Sequence, residues 1–82
     1  MKKYEIMIDG YGPRVSTCFH KIITAADRQT ADNAADKWCD ELMLEDEGDF
    51  DEWCVAGLEE YTGTEHNVGE QWTETVPHLV MY

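Results

Sequence analysis

Residues 27–52 read DRQTADNAADKWCDELMLEDEGDFDE, and how this stretch divides decides the fold. At 100° per residue, Ala31, Ala35, Trp38 and Leu42 share one narrow stripe, the pattern of an amphipathic helix that packs against another element. Asp27 is placed to cap it, its carboxylate free to accept from the first unpaired amides. The predicted helix runs from about Arg28 to Leu44. The EDEGDFD run that follows ends it through charge repulsion, with Gly48 as the expected terminator. A second line, Asp32, Asp36 and Asp40, occupies a different face. Like charges at this spacing each cost a helix about 0.2–0.5 kcal/mol, and Asp is a weak helix former. Asp40 and Glu41 also sit toward the end where the helix dipole disfavours negative charge. Charge kept against these costs points to a use outside the helix.

Upstream, Tyr4, Ile6 and Ile8 alternate with Glu5, Met7 and Asp9, the period of a half-buried strand. Gly10-Tyr11-Gly12-Pro13 stops it as a turn. A second β-rich run follows from Arg14 to Ala25, with Val15, Thr17, Phe19, Ile22, Ile23 and Thr24. Its alternation breaks at Lys21-Ile22-Ile23, which a bulge would repair. The two runs predict an antiparallel hairpin. Downstream, EWCVAGLEEY reads two ways. As a strand, Trp53, Val55 and Gly57 alternate against Cys54, Ala56 and Leu58. As a short helix, Asp51 caps it and Phe50 staples to Val55. Residues 61–69 are loop-like. QWTETV reads as a strand that Pro77 breaks, and HLVMY is a short apolar ending suited to pairing at a sheet edge.

Length and charge narrow the class. Eighty-two residues make one small domain, residues 1–82, with 43% hydrophobic content sufficient for a core. A formal charge of −12 on so short a chain opposes direct binding to nucleic acid or to an anionic membrane. The complement is a basic protein surface. The six basic residues, Lys2, Lys3, Arg14, Lys21, Arg28 and Lys37, are spread out and neutralise little of residues 27–52. Cys18, Cys39 and Cys54, odd in number and widely spaced, do not suggest a secreted disulfide framework. Glu5 and Asp9 interrupt any signal-like apolar run, and no stretch approaches the roughly 20 apolar residues of a membrane span. The expected address is cytoplasmic.

The expected architecture is α+β: an antiparallel β-sheet with one main amphipathic helix packed on one face, ββαβ with additional C-terminal strands. This layout resembles that of small acidic proteins from phages and mobile elements. The likeness rests on an A-x-D-x-x-x-A segment, Ala25-Ala26-Asp27 through Ala31, followed by Ala35 in an alanine-spaced helix. An acidic turn then leads to Asp51-Glu52-Trp53-Cys54-Val55. In these respects it is similar to DpnD/PcfM-like proteins and to small anti-CRISPR proteins with a ββαβ arrangement, over roughly the first two-thirds of the chain. The resemblance implies that Trp53 opens a strand. It brings no catalytic residue.

Chemistry finds little footing. Asp46, Glu47, Asp49, Asp51 and Glu52 are hard oxygen ligands flanking Gly48, but the register is not that of a calcium loop. Cys18-x-His20 is a close pair, yet with Cys39, Cys54, His66 and His78 it makes no zinc-type spacing. No nucleophile elbow or phosphate loop is present. No catalytic residue, metal or cofactor is therefore expected.

Binding remains. Aspartates one turn apart stand about 6 Å from each other, close to the phosphate spacing of a nucleic-acid strand. Asp32, Asp36, Asp40, Glu41 and Glu45 of the helix, with Asp46, Glu47, Asp49, Asp51 and Glu52 beyond it, form the candidate partner-binding set. They can imitate a phosphate backbone to a groove lined with Lys and Arg. Phe50 and Trp53 serve such a surface as anchors, or else belong to the core. The expected function is a non-catalytic, phage-type inhibitor that occupies the basic nucleic-acid-binding surface of a host defence protein. The alternative is an assembly module that self-associates as a homo-oligomer through a sheet edge, its acidity serving solubility.

Overall fold

A computed structural model describes residues 1–78. Strands β1 (Lys2–Tyr11) and β2 (Val15–Ala25) form the hairpin, followed by helix α1 (Arg28–Glu45), β3 (Glu52–Glu60) and β4 (Gln71–Pro77). The sheet is antiparallel throughout, in the order β3-β1-β2-β4. The expected α+β architecture is present, with the hairpin at its centre and the later strands as its edges. The segment after Asp51 is a strand, not a short helix. Edge pairing expected of residues 79–82 lies outside the described residues. No helix among the described residues is long and apolar enough to cross a membrane.

The helix forms where its pattern places it. Asp27 is extended, and its carboxylate accepts from the Thr30 amide at 2.8 Å. Ala31, Ala35 and Trp38 are buried, while Leu42 is half-buried at the margin. They pack on Tyr4, Ile6 and Ile8 of β1 and Leu58 of β3, and this is the main core. Alanines at the contact let the helix backbone approach the sheet closely, and Trp38 supplies the bulk. Lys21 of β2 holds its ammonium 5.3 Å from the Trp38 ring centroid, a cation–π contact at the rim. The helix stops one residue later than expected and not at Gly48. Asp46 is the cap, because its carboxylate accepts from the amides of Asp49 and Phe50 at 3.1 and 3.3 Å and draws the chain out of helical geometry. Gly48, at φ +96°, supplies the left-handed step inside that turn.

Two side-chain patterns differ from expectation. β2 has no bulge, since its pairing with β1 runs unbroken from Lys2↔Ala25 to Tyr11↔Ser16. Ile22 and Ile23 simply point to opposite faces, and Ile22 is fully buried on the face away from the helix. The irregularity is in β3, where Met7 pairs with Gly57 and Ile8 with Val55, leaving Ala56 extra. That extra residue reverses the parity, so Leu58 joins Trp53 on the helix side instead of opposing it.

Candidate functional site

The carboxylates of the candidate set sit around the helix and its C-terminal end, but not on one face. Arg28, Asp32, Asp36 and Asp40 form one i, i+4 line. Arg28 donates to the outward carbonyl of Leu58 on β3 at 3.0 Å, which fixes this line on the β3 flank. Each four-residue step advances about 40°, so the line turns from half-buried Asp32 to exposed Asp36 and Asp40 on the outer side. Glu41 lies on the other flank, lining a shallow hollow with Ile23 and Lys21 of β2. Glu45 and Asp46 border a second hollow with Phe19, Phe50 and Trp53. Glu47, Asp49, Asp51 and Glu52 are exposed at the same end. The set is thus a rim around the end of the helix, continued up one flank by the aspartate line.

Two of its members have structural partners or cover. Asp46 spends its carboxylate on the turn, and Asp32 is half-buried. The others are exposed. Among the described residues the one lysine–carboxylate pair is Lys2–Glu60, and imidazole–carboxylate contacts join His20 to Glu5 and Glu74 and His66 to Glu70. None involves the candidate set, so its charge is not neutralised within the chain. Phe50 and Trp53 are half-buried and form an aromatic group with Phe19, at ring separations of 5.0–6.0 Å. They close the end of the helix-side core beneath the acidic rim.

The opposite face of the sheet carries a polar cluster that the sequence reading does not assemble. His20, 8% exposed, donates from Nδ1 to Glu5 Oε2 at 3.1 Å. Its Nε2 faces Glu74 Oε1 at 3.5 Å, too long for a good hydrogen bond, and has no other partner. The Trp72 indole lies parallel to the rings of both His20 and His66, at 4.9 and 3.7 Å. Two imidazoles this near in parallel planes fit only on opposite faces of the indole. His66 hydrogen-bonds Glu70, which holds that carboxyl below its ordinary value. It also donates its amide to the Tyr61 hydroxyl at 3.0 Å.

This cluster fastens the long β3–β4 connection. Gly69, at φ +87°, and Glu70 both oppose Ile22: the Gly69 amide donates to the Ile22 carbonyl, and the Ile22 amide to that of Glu70. This is a bulge that turns the chain into β4, and glycine supplies its left-handed residue. Cys18, beside His20 on this face, has its thiol pushed up to about 12 by burial and then by Asp9, Glu74 and Glu5. That keeps it protonated at neutral pH, the reverse of an activated nucleophile. Tyr11 donates to Asp9 at 3.1 Å, and this contact raises its hydroxyl to about 12. Among the described residues no three His, Cys, Asp or Glu side chains are placed to hold a metal ion. The sequence signal for this face was the alternation itself, which puts Glu5, Met7 and Asp9 opposite the apolar set. What it lacked was the pairing that brings Trp72 beside His20.

Comparison with family models, curated proteins and solved structures finds no match to this chain.

Proposed function

We propose that this chain is a non-catalytic acidic binding protein, a phage-type inhibitor that occupies a basic nucleic-acid-binding surface of a host protein. The observation that carries this reading is the exposed run of Asp36, Asp40, Glu41, Glu45, Glu47, Asp49, Asp51 and Glu52, none of them paired with a base among the described residues. They stand on a helix anchored to the sheet through Trp38 and on a turn tied by Asp46, so little ordering entropy opposes their engagement. A basic groove offers the desolvated, multivalent contact that such a rim lacks within its own chain. Attraction of this kind steers association and weakens as salt screens it.

The test is capture on the immobilised protein from a bacterial lysate, at low and high salt. The expected capture is of a nucleic-acid-binding protein, released by added salt and displaced by its own nucleic acid. Asp36→Lys combined with Asp40→Lys should abolish it. Capture unchanged by that double substitution, or indifferent to salt, rejects the reading.

A further inference from the structure

Independently of what the acidic rim binds, we infer that β4 is a self-complementary edge through which two copies of this chain join into one continuous antiparallel sheet. The two edges of the sheet are unequally protected. On β3, Tyr61 bonds inward to Lys3, so Leu58 directs its carbonyl outward, and the Arg28 guanidinium occupies that carbonyl. The Ala56 bulge distorts the strand, and Glu52, Glu59 and Glu60 set like charges against any second copy. Bulges, charges and covered carbonyls all discourage strand addition. Between Gln71 and Thr75 the β4 edge has no bulge and, among the described residues, no covered outward carbonyl, and its one charge is Glu74. The helix packs on β3, β1 and β2 but makes no contact with β4.

Hydrogen-bond parity then selects the register. Glu70 bonds to Ile22 and His78 to Arg14 on the inner side, so the even-numbered residues of β4 bond toward β2. Gln71, Thr73 and Thr75 therefore direct their main-chain groups outward. Pro77 shares that parity but has no amide to offer, and it closes the edge at one end. A two-fold axis at Thr73 pairs Gln71 with Thr75 of the second copy and Thr73 with itself. Trp72 then stands opposite Glu74. This arrangement uses about six outward main-chain bonds, keeps Pro77 beyond the paired stretch and opposes no like charges. Moving the axis to Glu74 would set the two carboxylates face to face and place Pro77 at a bonding position.

The net charge does not forbid this. The aspartate line lies on the β3 flank, away from β4. Across eight strands the two β3 edges would be about 34 Å apart at the usual strand spacing, several times the screening length of roughly 8 Å at physiological salt. Joined edges give a closed two-fold assembly rather than an open filament, because each copy has one permissive edge.

Sedimentation of the full chain at about 50 µM in physiological salt should show a dimer. Thr73→Pro removes only an outward amide. It should weaken the dimer at least about tenfold while leaving the far-ultraviolet spectrum unchanged. A second measurement does not depend on that variant folding. In a Cys54→Ser background, Thr73→Cys should form an intermolecular disulfide on mild oxidation, since the axis places that position opposite itself. Thr75→Cys should not. A monomer at this concentration, a dimer indifferent to Thr73→Pro, or equal cross-linking at both positions overturns the inference.

Discussion

The two faces of this sheet are held by different physics. On the helix side, Tyr4, Ile6, Ile8 and Leu58 meet Ala31, Ala35 and Trp38 in an apolar layer whose members are at most 6% exposed. On the other side, buried Ile22 shares its face with His20, Glu5, Glu74, Trp72 and, from the crossing loop, His66 and Glu70. The first layer is held by loss of water contact and tolerates no cavity. The second depends on ring stacking and on carboxylate–imidazole contacts. The helix-side layer should therefore carry the global stability, and the open face the placement of β4 and its loop.

The sharpest break of that contrast is on the helix side. Trp38→Ala should cost about 3–5 kcal/mol and Ile8→Ala about 2–5, by lost transfer energy plus the cavity left behind. A small domain has about 5–15 kcal/mol in all, so denaturant midpoints should fall steeply with either change. Trp72→Ala, on the open face, should cost less, about 1–3 kcal/mol. Its distinguishing effect is local: hydrogen exchange at Ile22, Gly69 and the β4 amides should speed up while the β1–β3 amides stay protected. Uniform loss of protection would mean that the two layers are one cooperative unit.

Acid offers a weaker probe of the same difference. Glu70 is held below its ordinary value chiefly by the hydrogen bond from His66, and Asp27 chiefly by the Thr30 amide. A carboxyl depressed in the folded state contributes stability above its unfolded value and loses it as pH falls through the folded one. Both contributions should be fully present at pH 6 and shrink as pH falls below ordinary carboxyl values near 4. Glu70→Gln and Asp27→Ala should each lower the melting temperature at pH 6, and by less at pH 3. A difference as large at pH 3 as at pH 6 would mean that these residues act through something other than their charge.

How far the sequence reveals each face follows from the range of the contacts. The Ala31–Ala35–Trp38 stripe and the Tyr4–Ile6–Ile8 alternation are local periodicities, and both survive into the structure. The open face is made of pairs distant in the chain, such as Glu5 with His20 and His20 with Trp72. No periodicity records which strand lies beside β2. Single extra residues at Ala56 and Gly69 also shift parity, and nothing local distinguishes them from ordinary strand or loop residues. For the candidate site, the acids were visible as residue types. Their division between two flanks was not, because it depends on which side of the helix Arg28 meets β3.

The smallest stability effect belongs to the acidic line, and its sign is what matters. Asp32, Asp36 and Asp40 repel one another along the β3 flank, and no base among the described residues pairs with them. Asp36→Lys with Asp40→Lys replaces the Asp32–Asp36 repulsion by attraction and places positive charge toward the C-terminal end of the helix. Each such change is worth about 0.2–0.5 kcal/mol, with a similar contribution from the helix dipole. The variant should therefore melt slightly higher than the parent, although its formal charge has moved by four units from −12 to −8. Neither helix-side nor open-face contacts change, so any loss of partner capture in this variant cannot be ascribed to unfolding. A stabilised protein that no longer captures its partner would identify the aspartates as a binding feature kept at the expense of the helix. A destabilised one would mean that the line has a structural partner after all.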